Sequence, residues 1–466
     1  MLWAALHLSH LAIEARQSCD FPLAITEGRG ARRRLIDCNL TARKAQLAAG
    51  MDVPAALLRV PTLRLLERLP SEEKRVLQAL ACWAHQFTSD IHVDVAHWMV
   101  FLELGASVRY FEGLANLQRS VHDGLAHLGY TAAIGIAPTR EAAALLTGLP
   151  QAPPVLTLPL LRPAIASLAL ERLPLDSKTI EQLHAVGLTT IEDLLGIPAS
   201  ALARRFGPAL PRYLRRLLGE ESDPHVRHRL PSSYKRRCSF LEPVETLEGL
   251  LFPLRRVLQE LQGYLQARDV AIQHLAVTLR HRDAPELLLE LTTSRPQRDA
   301  TQLFALLREK LERTRFTAAV TEVLIAAHEF VAPQVIQRDL FDDRGCQHES
   351  WSALLDKLRA RLGDDAIRYL GLRDDHRPER AWCVSTQASE HPFDAAFPDR
   401  PLWLLTPTPI TQVPQLLGKP ERIEAGWWQG EDSTRDYYLA RSAEGARWWL
   451  YRDRFSGGWY LQGLWA

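Results

Sequence analysis

The acidic side chains best placed to share a divalent cation lie in Phe87 to Gly113, where Asp90, Asp94 and Glu103 surround an apolar run, Met99-Val100-Phe101-Leu102-Glu103-Leu104, followed by Gly105-Ala106-Ser107. Carboxylates held together at a strand would supply the hard oxygen ligands that Mg2+ needs for phosphoryl transfer. The spacing does not favour that chemistry. Asp90 and Asp94 are four residues apart, which suits one face of a helix and not one face of a strand. An adjacent Asp-Glu pair at the head of the apolar run would be the efficient arrangement, and Trp98-Met99 stands there instead. A solvated acidic pair ahead of a buried strand is the simpler reading. Six scattered cysteines (Cys19, Cys38, Cys82, Cys238, Cys346, Cys383) have no paired spacing, which argues against a zinc site or disulfide framework and for a reducing cytoplasm.

At 466 residues the chain is too long for one core and is expected to divide into three or four domains. Lys+Arg 56 against Asp+Glu 55 gives no global attraction to nucleic acid, so any such contact must come from local clusters. The opening MLWAALHLSHLAIEA reads as a buried strand running into a helix capped by Ser9, not as a signal peptide. No run reaches the length of a membrane span. Pro22 to Thr26 and Leu35 to Cys38 read as strands, with a helix from Asn39 to Ala45. Arg32-Arg33-Arg34 is either a solvated edge or a phosphate contact.

ARKAQLAAGM is similar to the segment of Y-family (translesion) DNA polymerases in which a fingers helix carries a triphosphate-binding Arg. Arg43 sits at that position, while the family's partner Tyr is Leu40 here. HLAIEA resembles the end of the family's first metal motif. Aligned on Ile13-Glu14, the two metal-binding aspartates fall at Ala5 and His7, and the aromatics with the steric gate fall at Ser9 and His10. Aligned on Phe101-Leu102-Glu103, the second carboxylate pair becomes Trp98 and Met99. Both metal motifs are thus lost independently, and the resemblance implies a polymerase frame with no catalytic residues, metal or cofactor. Gly135-Ile136-Ala137-Pro138-Thr139-Arg140 resembles the family's strand-turn-helix beside the triphosphate. Arg140 lies near one basic position, but no lysine occurs between Lys74 and Lys178. Arg43 and Arg140 are what would remain of the nucleotide site.

Pro150, Pro153, Pro154, Pro159 and Pro163 mark a stiff connector. Beyond it, short helices beginning at Ser177 as a cap and turning at Gly187 are similar to a helix-hairpin-helix thumb. Such hairpins hold phosphate on backbone amides, and Gly187, Arg204, Arg205, Arg215 and Arg216 are the expected DNA contacts, with Arg212 nearby. RHRLPSSYKRR, residues 227–237, has no acidic residue; Lys235, Arg236 and Arg237 are assigned to phosphates. Residues 239–332 alternate long helix and strand patterns as in a little-finger domain.

Gln337-Arg338-Asp339-Leu340-Phe341 resembles the peptide by which bacterial DNA polymerases grip the sliding clamp. Leu340 and Phe341 would fill an apolar pocket and Gln337 would fix register, with Asp339 between; Arg338 departs from the usual Leu. The bland alternative packs Leu340 and Phe341 on their own domain. In the tail, Trp351 to Leu362 and Ala366 to Leu370 read as helical, and Pro401 to Leu405 and Arg435 to Ala466 as strands. Its tryptophans are strand core or an exposed docking patch. The tail resembles that of the ImuB family of polymerase-like proteins.

The expected fold is mixed, multidomain α/β: a Y-family-like palm and fingers over 1–163, a helix-hairpin-helix thumb over 164–226 and an α+β little finger over 227–333. A clamp-binding linker over 334–349 and a β-rich C-terminal partner-binding region over 350–466 complete it. The resemblance implies a non-catalytic cytoplasmic, nucleoid-associated scaffold for error-prone translesion synthesis. Its implied partners are DNA, the DNA polymerase III sliding clamp (beta subunit), a RecA-like accessory protein (ImuA) and an error-prone alpha-subunit-type polymerase, with no membrane. The rival readings are an active Y-family polymerase using Asp90, Asp94 and Glu103, and a DNA-repair scaffold with no polymerase partner.

Overall fold

The computed structural model describes residues 1–16, 21–149, 152–314, 318–333, 344–385, 399–430 and 432–465. The chain divides into two compact units, Met1–Arg361 and Leu362–Ala466. The architecture is mixed α/β with a β-rich C-terminal unit.

The first unit is built on a four-stranded antiparallel sheet in the order Ile91–Asp94, Met99–Glu103, Trp3–His7, Ala133–Ala137. Trp3–His7 is central, and the period-two alternation of a strand sends its residues to two cores. Ala4 and Leu6 join Val100 and Leu102 under the helices Pro70–Ala84 and Leu114–His127. Trp3 and Ala5 join Phe101 and Ala137 under the helix Arg140–Thr147 and the short helices that follow. Gly135 makes the second packing possible: a Cβ there would lie 2.1 Å from the Ala143 carbonyl oxygen. The short helical layer runs Leu158–Ile165, Ser177–His184, Ile191–Leu195, Ala199–Phe206 and Ala209–Leu217.

A three-stranded sheet, in the order Arg34–Cys38, Leu23–Glu27, Arg64–Glu67, carries the helices Leu40–Lys44 and Val53–Arg59. A third sheet, in the order Leu287–Gln297, Ile272–His281, Val320–Ala327, Tyr234–Val244, is covered by Leu247–Ala267 and Ala300–Arg313. Gly263 on the longer helix meets Trp83, seating that helix against Pro70–Ala84. The helix Arg344–Leu362 docks on the same sheet: Asp356 accepts from the Ser294 amide at 2.8 Å and hydroxyl at 2.6 Å.

The C-terminal unit pairs Tyr369–Leu372 with Trp382–Ser385, and holds a five-stranded sheet ordered Trp403–Ile410, Trp459–Leu464, Arg447–Asp453, Ser433–Arg441, Gln415–Ala425. Its core is Ile423, Tyr437, Trp449 and Tyr451, with Tyr437 stacked on Trp449 at 4.4 Å. The tryptophans divide between roles: Trp449 is 4% exposed, whereas Trp427 is 71% and Trp403 65% exposed.

Four local expectations are corrected. His10, not Ser9, precedes the first helix, and its side chain does not cap it. Asp176, not Ser177, caps the Ser177–His184 helix by accepting from the Thr179 amide, because a capping side chain must stand outside the first turn. Ala366 to Leu370 is not a helix: Tyr369–Leu372 is a strand satisfied by pairing with Trp382–Ser385. Pro401 to Leu405 lies mostly within a longer strand, Trp403–Ile410. No helix among the described residues is long and apolar enough to cross a membrane.

Candidate functional site

The row at the open end of the first sheet is set by pairing: Met99 stands opposite His7 on one side and Asp94 on the other. A cavity of about 520 Å3 opens over it, lined among others by His7, His97, Asp94, Met99 and Arg140. His97 Nδ1 lies 2.7 Å from Asp94 Oδ2. Burial, with His97 and His10 nearby, holds the His7 imidazole below its ordinary value. Ala5, two residues back on the same face, is fully buried among apolar side chains.

Trp98, expected at the second carboxylate pair, is tied inward. It has φ of 54°, its carbonyl accepts from the Leu8 amide at 3.0 Å, and its indole donates to buried Glu73 at 2.8 Å. Arg68 holds the same carboxylate through Nε and Nη2, both at 2.8 Å, and reaches Glu27 at 3.0 Å. The hydrogen bonds to Glu73 raise the Arg68 pKa, and its guanidinium lies 5.1 Å from the Trp98 ring. The Trp98 ring is thus held between Glu73 and Arg68.

The residues expected at a nucleotide site are tied in the same way. Buried Asp37 accepts from His10 Nδ1 at 2.9 Å and from the amides of Ile13 and Cys38. Arg43 Nη1 lies 2.8 Å from His10 Nε2. Two donors cannot face each other, so His10 carries its proton on Nδ1 and accepts from Arg43. Arg140 is held by Asp223 at 2.5 Å and lies 5.8 and 5.7 Å from the rings of Trp3 and Phe101.

Metal-assisted phosphoryl transfer does not fit this donor set. A methyl, an imidazole, an indole and a thioether offer no hard oxygen at Ala5, His7, Trp98 or Met99. The substitute acids are engaged apart from one another. Asp90 pairs with His225 at 2.8 Å and Arg227 at 2.9 Å; Glu103 accepts from the amides of Leu2 and Gly105. Asp90 is therefore not the solvated residue expected. Among the described residues no group of three or more His, Cys, Asp or Glu is placed to hold a metal ion.

The basic residues separate into two groups. Gly187 turns the chain at φ of 84°, and Arg204 and Arg205 are exposed with no ion pair among the described residues. Lys235 is exposed as well. Arg215 grips Glu221 at 2.8 Å, and Arg216 stands 3.9 Å from both Glu221 and Asp223. Arg236 is a correction: it turns inward to the buried Glu260 at 2.9 Å, because an unpaired carboxylate there would be very costly. Burial opposes its charge, but Glu260 holds the pKa up. Arg237 pairs with Glu322, which also takes Arg280 at 3.1 Å. Glu73, Glu221 and Asp223 were not singled out from the sequence, and the one cue was an acidic pair just past Gly219. Gln337, Asp339, Leu340 and Phe341 lie outside the described residues.

The chain is similar to several known proteins. The impB/mucB/samB family model matches residues 13–148. Protein ImuB of Caulobacter vibrioides (strain NA1000 / CB15N) is 27% identical over 460 residues, covering 90% of this chain and 99% of that protein. DNA polymerase IV of Shewanella sp. (strain ANA-3) is 26% identical over 292 residues, covering 60% of this chain and 80% of that one. Among solved structures, the insertion ternary complex of Dbh DNA polymerase matches with a TM-score of 0.41 and 16% identity, over 71% of this chain and all of that one. The crystal structure of DinB from Sulfolobus solfataricus gives 0.39 and 16%, over 72% of this chain and all of the other. The ImuB match, at 90% of the chain, is long enough to reach the C-terminal unit, whereas the polymerase IV match covers 60%. By that near full-length match, the chain is similar to ImuB over 90% of its own residues, with the impB/mucB/samB model matching inside that span.

Proposed function

We propose that the chain is a non-catalytic, polymerase-like scaffold in damage-induced, error-prone translesion DNA synthesis. The observation that carries this reading is the donor set at the sheet: Ala5 is buried in an apolar core and the Trp98 indole is committed to Glu73, so neither position offers a carboxylate. Residues 1–163 serve as palm and fingers, 164–226 as a helix-hairpin-helix thumb, and 227–333 as little finger. The exposed Arg204, Arg205 and Lys235, with Gly187, contact DNA phosphates. Gln337, Asp339, Leu340 and Phe341 bind the sliding clamp, and residues 350–466 dock further proteins. Those are a RecA-like accessory protein (ImuA) and an alpha-subunit-type polymerase that supplies the chemistry, at the nucleoid in the cytoplasm.

Primer extension tests the catalytic half. The purified chain is expected to add no nucleotide with Mg2+ or Mn2+; extension lost on changing Asp90, Asp94 or Glu103 would support the active-polymerase reading instead. A pull-down with the sliding clamp, comparing the natural chain with Leu340→Ala plus Phe341→Ala, tests the scaffold half.

A further inference from the structure

The chain leaving the last helix of the short helical layer folds back over its own arginines. Helix Ala209–Leu217 carries Arg212, Arg215 and Arg216, spaced i, i+3 and i+4 so that their side chains share one face. Gly219 follows at φ of 77°, a conformation that a side chain resists, and an added Cβ would lie 2.7 Å from Leu158 Cδ2. The reversal lets the amides of Glu220 and Glu221 donate to the Arg215 carbonyl at 2.8 and 3.3 Å. That brings the Glu221 carboxylate onto the arginine face. Arg215 grips Glu221 Oε2 through Nε at 3.0 Å and Nη2 at 2.8 Å. Arg212 Nε and Arg216 Nε stand 3.6 and 3.9 Å from Glu221 Oε1. The hydrogen bonds from Arg215 hold the Glu221 carboxyl below the usual range.

One planar carboxylate does not saturate three guanidiniums. Arg216 Nε is buried and has no hydrogen-bond partner, and the nearby Asp223 is already held by Arg140. A tetrahedral phosphate directs its oxygens to several donors at once, and guanidinium forks match it well. A cavity of about 780 Å3, lined by Arg216, Glu221, Asp223, Arg140 and Arg227 among others, opens beside the cluster. The Arg215–Glu221 pair is itself partly exposed, the kind of ion pair that is weakly held and readily exchanged.

We propose that Glu221 masks a phosphate cradle built from Arg212, Arg215 and Arg216, occupying the place that a nucleic-acid backbone phosphate takes on binding. No covalent step is involved; one anion replaces another. The proposal rests on the DNA-binding reading above and deepens it by giving that surface a built-in competitor.

Titration of labelled duplex DNA by fluorescence anisotropy at several salt concentrations tests it, with the natural chain, Glu221→Gln and Glu220→Gln. Glu220 is the control: it carries the same charge, and its side chain makes no ion pair among the described residues. Glu221→Gln is expected to tighten binding roughly 3- to 10-fold and to steepen the salt slope by about one. Glu220→Gln should change affinity less than about 2-fold, since it removes a charge that makes no ion pair with the three arginines. Adding Arg212→Gln to Glu221→Gln should return affinity towards the natural value. Equal binding by the natural chain and both single variants overturns the mask and leaves DNA binding standing. Absence of binding by every chain overturns both readings, and an equal gain in Glu220→Gln and Glu221→Gln overturns the mask in favour of bulk charge.

Discussion

Around His10 and Trp98, polar groups close on one another inside the protein, whereas along Ala209–Leu217 they close on one another at its surface. In the first region Asp37, His10 and Arg43 form a chain of hydrogen bonds, and Glu73 is shared by Trp98 and Arg68. In the second, Glu221 rests over three arginines with an open cavity beside it. The difference lies in burial. A buried network must satisfy its own members, because no solvent or ligand will do so. An exposed one gives up a partner cheaply. The same kinds of residue therefore become structure in one place and remain available in the other.

The sharpest way to break this contrast is to put an acid back where the interior has closed. Ala5→Asp buries a carboxylate among Trp3, Phe101 and Ala137, and should cost on the order of 3 kcal/mol in urea denaturation. An unchanged midpoint would mean that Ala5 is not packed into that apolar cluster. Next in size is the contrast between inward and outward arginines. Arg236→Ala strands Glu260 and should destabilise by about 3 kcal/mol while leaving the salt slope of DNA binding unchanged. Arg204→Ala with Arg205→Ala should do the reverse, lowering that slope by about two with little change in stability.

The smallest effect is on pH. His85 Nε2 lies 3.1 Å from His228 Nδ1, and Cys82 Sγ is 4.0 Å from His228 Nε2. Burial, with His85 beside it, lowers His228 to about 4; burial also lowers His85 and pushes the Cys82 thiol up to about 12. All three groups are held uncharged. The folded state thus resists protons that the unfolded chain accepts near the ordinary histidine value of about 6.5. Stability is whole above that value and is lost as pH falls through about 4. Melting curves between pH 7.5 and 4.5 should show a decline of a few degrees that His228→Asn reduces.

Elements with an uninterrupted period were legible in the sequence. The strands Leu23–Glu27, Arg34–Cys38 and Met99–Glu103 fall close to where their apolar residues place them. Gln415–Ala425 was not legible, because Gly418 and Pro420 break the alternation at a register shift between Leu417 and Glu421. Pairings across the fold were the least legible. Arg236 lies in a run with no acid, and its partner Glu260 is on a helix that only the folded sheet brings near. Glu221 reaches Arg215 only because Gly219 reverses the chain, a fact of backbone conformation that composition does not record. The outward residues Arg204 and Arg205 could be singled out because no distant acid among the described residues pairs with them.

The close joint at Gly135 has a consequence for how such a chain drifts. No substitution there can be accommodated without lifting the Arg140–Thr147 helix from the sheet, since even one methyl would overlap Ala143 and Thr147. Side chains at the open end of the sheet meet no such backbone, but this seam leaves a lineage one residue to choose from. The backbone seam is thereby held under tighter rules than the side chains around it.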